Sequence, residues 1–423
     1  MKNNTNNKSW SWIPTLYFTE GLPYILIMSV SVTMYKNLGV SNEDIAFYTS
    51  WLYLPWVIKP FWSPFVDIIK TKRWWIVTMQ LFMGALFGIV AFTLTTDFYF
   101  NLSMAVLALM AFSSATHDIA ADGFYIQALD SHSQSYFVGI RSTFYRVAMI
   151  FGQGFMVYLA GQLNSTFGNM KTAWMIVFLI SSGILVIVGF YHKWVLPKQK
   201  APTNNDVQGN NERASYWNAI KTFFLKDGII LSILFILSYR LGEAQLVKII
   251  SPFLLDGNEA GGMGMDNEQV GVSYGTIGVI ALVIGGILGG NVIAKYGLKR
   301  CLLIMILSLN LPNALYMLLA YYMPQNDYIL TIVISLEQFG YGFGFAGFLV
   351  YLMYLSQGKY QTTHYALCTG LMALGMMIPG MFSGMLQEEL GYPLFFGWVL
   401  ACSLPCLLLL KFLKIDPDFG RKL

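Results

Sequence analysis

Asp118 and Asp122 stand four residues apart within the apolar stretch from Phe112 to Tyr125, so on a helix both carboxylates share one face about a turn apart. A charge at bilayer depth costs about 3 kcal/mol or more, and acids placed there usually face a partner or a wet cavity. With two acids side by side, a single arginine cannot neutralise both. Desolvation and mutual repulsion then favour a proton on one of them, which makes the pair a proton carrier that needs no cofactor. Arg146 on the following helix is the expected counter-charge, and Glu20 and Glu337 are further candidate proton-coupling acids. The plainer alternative is a helix whose acids sit at the membrane interface.

Other residues suit a solute. Arg240 and Glu243 are spaced to pair on one helical face, either as a buried ion pair that sets packing or as part of a binding site. Arg240 and Lys248 fit an anionic ligand. The candidate substrate-binding set is Arg146, Arg240, Glu243, Tyr17, Tyr239 and His117. Tyr17, Tyr24, Tyr125, Tyr239 and Tyr341, with Trp51 and Trp56, could stack on a sugar ring, although interface belts and core packing also use such residues. His117 and His364 admit a proton relay or a plain contact with a neighbouring helix. The histidines are few and scattered and the four cysteines lack ligand spacing, so neither a metal site nor any other cofactor is expected. No phosphate-binding glycine loop, nucleophile elbow or zinc-protease motif is present, which argues against an enzyme.

The elements that must hold these groups are membrane helices. The chain is 56% hydrophobic and 11% charged over 423 residues, a polytopic composition that leaves no water-soluble core and no nucleic-acid surface. The polar start runs directly into an apolar span without a cleavage pattern, so no cleaved signal peptide is expected. Twelve helices are predicted at roughly 12–36, 44–66, 73–95, 100–129, 138–163, 172–196, 227–255, 269–294, 299–323, 328–357, 361–386 and 394–414. The polar stretch 197–226 reads as a mobile cytoplasmic linker between an N-terminal bundle, 1–196, and a C-terminal bundle, 227–423. When alternate loops are assigned to one side, twenty lysines and arginines fall on that side and two on the other, which makes both termini cytoplasmic.

A faint repeat links the halves. Ser41 to Ile45 and Asp266 to Val270 each resemble an N-terminal capping box, at the second helix of each half. Most intramembrane charges fall on helices one, four, seven and ten, as two rocking bundles with a central cavity would require. The glycines of Gly285 to Gly290 and Gly340 to Gly344 suit close helix packing and hinges.

These residues resemble the major facilitator superfamily, and within it the AmpG-type muropeptide permeases and the related acetyl-coenzyme A transporters. The superfamily's glycine, acid and base cluster is echoed twice, in Ser63 to Asp67 with Lys72 and Arg73, and in Gly290 to Arg300 through Lys295. The segments Phe61 to Asp67, Ser114 to Asp122, Tyr145-Arg146, Thr363 to Leu367 and Pro379 to Gly384 are similar to AmpG-type patterns, and together they span most of the chain. The resemblance implies a bacterial inner-membrane proton symporter, an all-α protein of twelve transmembrane helices in two pseudo-symmetric six-helix bundles. It implies Asp118, Asp122 and Arg146 as the functional core, and Asp67, Arg73, Lys295 and Arg300 as gating residues. The expected partners are protons, a small-molecule substrate and the lipid bilayer, and the expected state is a monomer. The expected function is import of an anionic amino-sugar or anhydro-muropeptide; alternatives are another anionic solute such as an acidic sugar or acyl-coenzyme A, export of amphipathic compounds, or a non-transporting sensor.

Overall fold

The computed structural model of the chain describes residues 9–129, 131–198, 209–358 and 360–421, and among these every regular element is helical. In chain order the helices are α1 (Ile13–Asn37), α2 (Asn42–Trp51), α3 (Leu54–Ile68), α4 (Lys72–Thr93), α5 (Tyr99–Ala128), α6 (Ser131–Met149), α7 (Val157–Phe167), α8 (Met170–Val195) and α9 (Gly209–Phe224). They continue with α10 (Ile229–Leu255), α11 (Asn267–Tyr296), α12 (Leu298–Tyr322), α13 (Asp327–Ser356), α14 (Gln361–Met381) and α15 (Ser383–Leu410).

Among the described residues, ten helices are long and apolar enough to cross a membrane: α1, α4, α5, α8 and α10 to α15. Two expected spans, 44–66 and 138–163, are not among them. The first is interrupted at Leu52 and Tyr53, which leaves α2 and α3 with 10 and 15 residues, each too short alone. The second passes from α6 through a π-helical turn, Ile150–Met156, into α7, and its hydropathy is lowered by Arg141, Ser142, Thr143, Arg146 and Gln153.

Both expected helix starts are in place. The Ser41 hydroxyl accepts from the Asp44 N–H at 3.0 Å. Asp266 forms a full capping box: its carboxylate accepts from the Gln269 N–H at 2.8 Å, and the Asp266 N–H donates to the Gln269 side chain at 2.9 Å. Each arrangement satisfies donors that a helix N-terminus leaves open.

The chain forms two compact units, one of residues 1–38 with 61–208 and one of 39–60 with 209–423. Helix two, expected whole in the first half, is thus divided: α2 and the start of α3 group with the second unit. The expected linker also carries structure, since its 209–224 part is α9. Ala219 and Phe223, four residues apart, give α9 a buried edge, and the Ala219 carbonyl lies 3.0 Å from His364 Nε2 of α14.

In the first unit α1 and α5 pack through Trp12, Leu16, Tyr17, Ala120, Ala121 and Phe124, with Trp12 edge-on to Phe124 at 5.1 Å. In the second unit α11 and α13 cross where glycines meet. A side chain on Gly285 would strike the Phe339 carbonyl, and one on Gly342 the Leu282 carbonyl, so neither position accepts even a methyl group without moving backbone.

Candidate functional site

In the first unit α1 supplies Tyr17 and Glu20 one turn apart, α5 supplies Asp118 and Asp122, and α6 supplies Arg141. Arg141 Nη2 donates to Asp122 Oδ1 at 2.7 Å, and the Tyr17 hydroxyl lies 3.4 Å from the same oxygen. The guanidinium carbon sits 4.4 Å from the centre of the Tyr17 ring and 5.1 Å from that of Tyr125, so two aromatic faces hold the cation. The ion pair is still reachable, for the Arg141 and Asp122 side chains remain 29% and 40% exposed.

Glu20 is buried beside this pair. Asp118, Asp122 and Arg141 all act on it electrostatically. Glu20 Oε2 is buried without a hydrogen-bond partner. Asp122 and Glu20 therefore share one arginine, with Asp118 beside Glu20.

Asp118, Asp122, Glu20 and Tyr17 are brought together, and Arg141, counted among the loop bases from sequence, is an ion-pair partner of Asp122. Asp122 lies six residues before the end of α5 and Arg141 ten residues after the start of α6.

A second polar set fills the interior of the same unit. Gln80 Nε2 of α4 donates to Thr19 Oγ1 at 2.9 Å and lies 3.0 Å from His117 Nε2. Its Oε1 is 2.8 Å from His192 Nδ1 of α8, and His192 Nε2 is 2.9 Å from Thr15 Oγ1. Gln80, His117 and His192 are all buried. His117, expected against substrate, is thus committed to Gln80. Gln80 and His192 were missed from sequence; the available signal was an amide and an imidazole inside otherwise apolar spans.

In the second unit, Glu337 Oε2 of α13 accepts from the Tyr316 hydroxyl at 3.2 Å and from Gln338 Nε2 at 2.9 Å. Glu243 acts on Glu337 electrostatically, and both acids are almost wholly buried. Glu243 Oε2 and Glu337 Oε1 have no hydrogen-bond partner. α10 breaks at Arg240, whose φ and ψ are −111° and 22°, yet the Arg240 charge still acts on Glu243. Arg240 also donates to the Tyr341 hydroxyl at 2.7 Å and lies 4.9 Å from the Phe345 ring centre. Tyr239 is used in packing: its hydroxyl donates to the Gly344 carbonyl at 2.8 Å and its ring stacks on Phe348 at 4.5 Å. Lys248 is buried, donating to Thr49 Oγ1 at 2.9 Å.

Of the expected gating residues, Arg73 donates to the Lys193 carbonyl from the first turn of α4. Lys295 and Arg300 are exposed on either side of Gly297, and the Asp67 side chain lies outside the described residues.

Known proteins fit this architecture. The sequence matches the Major Facilitator Superfamily over residues 15–255, more than half of the chain. The chain belongs to that superfamily. It is a multi-spanning membrane transporter and not an enzyme. Among curated relatives it is 26% identical to putative transporter AmpG 4 of Rickettsia conorii, over 94% of this chain and 95% of that one. It is also 26% identical to the anhydromuropeptide permease of Escherichia coli, over 96% of this chain and 80% of that one. Solved superfamily-like structures share the fold: a D-xylose-proton symporter, with a TM-score of 0.69 at 13% identity over 98% of this chain and 99% of that one, and the nucleoside transporter NupG, with a TM-score of 0.66 at 15% identity over 96% and 99%.

Proposed function

We propose that this superfamily member imports an anionic amino-sugar or anhydro-muropeptide together with protons, by alternating access, across the bacterial inner membrane. The observation that carries the reading is the Asp122–Arg141 ion pair, still reachable by water, with Glu20 and Asp118 clustered beside it. In the proposed cycle a proton from the outside reaches the acid cluster and neutralises Asp122. Arg141, held between Tyr17 and Tyr125, is then free to meet the carboxylate of a solute whose sugar ring can lie against the aromatic faces. A neutral, occupied cluster crosses the occluded state at lower cost than one with excess negative charge. In the less acidic cytoplasm the proton leaves, Asp122 reclaims Arg141, and the solute is released.

The reading takes the chain as twelve transmembrane helices in two six-helix bundles, acting as a monomer with both termini and the central polar segment cytoplasmic. The curated relatives named as an anhydromuropeptide permease and an AmpG transporter support the solute class, and the Lys and Arg asymmetry of the loops supports the orientation. Arg73, Lys295 and Arg300, with Asp67, are assigned to the loops that gate the bundles.

The test is uptake of a labelled anhydro-muropeptide into proteoliposomes, with and without an inward pH gradient at matched protein incorporation. Accumulation that depends on the gradient is the expected result. Folded protein that accumulates nothing overturns the solute assignment and turns the search to acidic sugars, acyl-coenzyme A and export.

A further inference from the structure

The set built from Thr15, Gln80, His117 and His192 has no role in the cycle above, yet its hydrogen bonding is restrictive. A primary amide has one donating end and one accepting end. With Nε2 of Gln80 toward His117 and Thr19, and Oε1 toward His192, the bonds require His117 Nε2 to accept and His192 Nδ1 to donate. In this arrangement His117 is neutral, with its proton on Nδ1. His192 is free to be neutral or charged. If neutral, its Nε2 accepts from Thr15 Oγ1; if charged, its Nε2–H donates to that oxygen while the Thr15 hydroxyl donates to the Trp12 carbonyl, 3.2 Å away. No heavy atom has to move between these two forms.

A proton on His117 Nε2 would place two donors face to face, so the amide must turn over. Oε1 then accepts from His117, Nε2 donates to His192 Nδ1, and His192 is compelled to be neutral. The conclusion does not depend on which amide orientation is taken first, because either one presents a donor to one ring and an acceptor to the other.

We infer that His117 and His192 form a single-proton site, in which Gln80 lets either imidazole be charged but never both. A charged ring fixes the amide orientation so that the other ring must stay neutral, and a proton can pass from one histidine to the other only if the amide turns over. Asp118 of α5 acts on His117, and His117 acts on His192. From α1, Glu20 follows Thr19 directly; on α8, Tyr191 and Lys193 flank His192; and on α4, Arg73 holds the Lys193 carbonyl. Because His117 adjoins Asp118 in the chain, the site stands next to the acid cluster and extends proton storage from it toward the end of α8.

The test labels the histidines of the full chain with 15N in lipid bilayers and follows their ring nitrogens by solid-state NMR from about pH 8 to pH 4, the range around imidazole titration. Single His117→Asn and His192→Asn variants assign the signals. The expected result is that the pair takes up one proton, with imidazolium signals of the two rings never present in the same molecule, as read by correlation between them. Gln80→Met, which removes the bridge, and Gln80→Glu, which offers an acceptor to both rings, are each expected to let both rings charge together. Joint charging with Gln80 intact overturns the inference, and so do mutual exclusion that persists in both Gln80 variants and a pair that takes up no proton across the range. The readout needs no transported solute, so it is independent of the assigned substrate.

Discussion

The two units each hold a group of acids, and they treat them differently. In the first, Asp122 has an arginine at 2.7 Å, two tyrosine rings around that arginine, and side chains that remain 29% and 40% exposed. In the second, Glu337 is 1% exposed and is answered by a tyrosine and a glutamine, while Glu243 beside it is 4% exposed. An ion pair with access to water can open and close as protons and solute come and go. In the second unit both acids are sealed from water, Glu337 bonded to neutral donors and Glu243 under the charge of Arg240. The contrast sets the water-reachable Asp122–Arg141 pair apart from the buried Glu243 and Glu337.

The largest expected effect comes from the first cluster. Asp118→Asn or Asp122→Asn is expected to lower gradient-driven accumulation roughly 100-fold, the upper range of a coupling free energy, while solute exchange without a gradient persists. Full accumulation by both variants would sink the coupling assignment. Arg141→Gln comes next, at about 10-fold in uptake, with Arg146→Gln changing it less; because the ion pair is partly solvated, the loss in stability is about 1 kcal/mol, read by thermal unfolding in detergent. The reverse ranking of the two arginines would restore the pairing expected from sequence.

Glu337→Gln is expected to leave accumulation within about 3-fold of the parent, because an amide oxygen still accepts from Tyr316 and Gln338. A collapse to the level of Asp122→Asn, in protein that elutes as folded, would erase the distinction between the two units. The smallest effect is predicted for Tyr17→Phe. The hydroxyl's contact with Asp122 is long at 3.4 Å, whereas the ring that faces Arg141 is kept, so uptake changes by about 2-fold or less.

Much of this was legible in the chain because it is a matter of composition and local spacing. Apolar runs longer than a bilayer is thick can only be membrane helices, and Asp118 and Asp122 at i, i+4 must share a face whatever surrounds them. The helix starts at Ser41 and Asp266 were readable for the same reason, since a cap is complete within four residues.

What a side chain meets on another helix is of a different kind, set by depth, rotation and backbone breaks that no local pattern encodes. Sequence determined that this protein is a polytopic transporter with acids inside its membrane helices. Tertiary structure decided that Arg141 answers Asp122, that Arg240 reaches Tyr341, and that Gln80 joins two histidines far apart in the chain. The physical reason is that hydrophobicity and helix periodicity act along the chain, whereas the choice of an ionic or hydrogen-bonding partner acts across space and falls to whichever group the packing brings within about 3 Å.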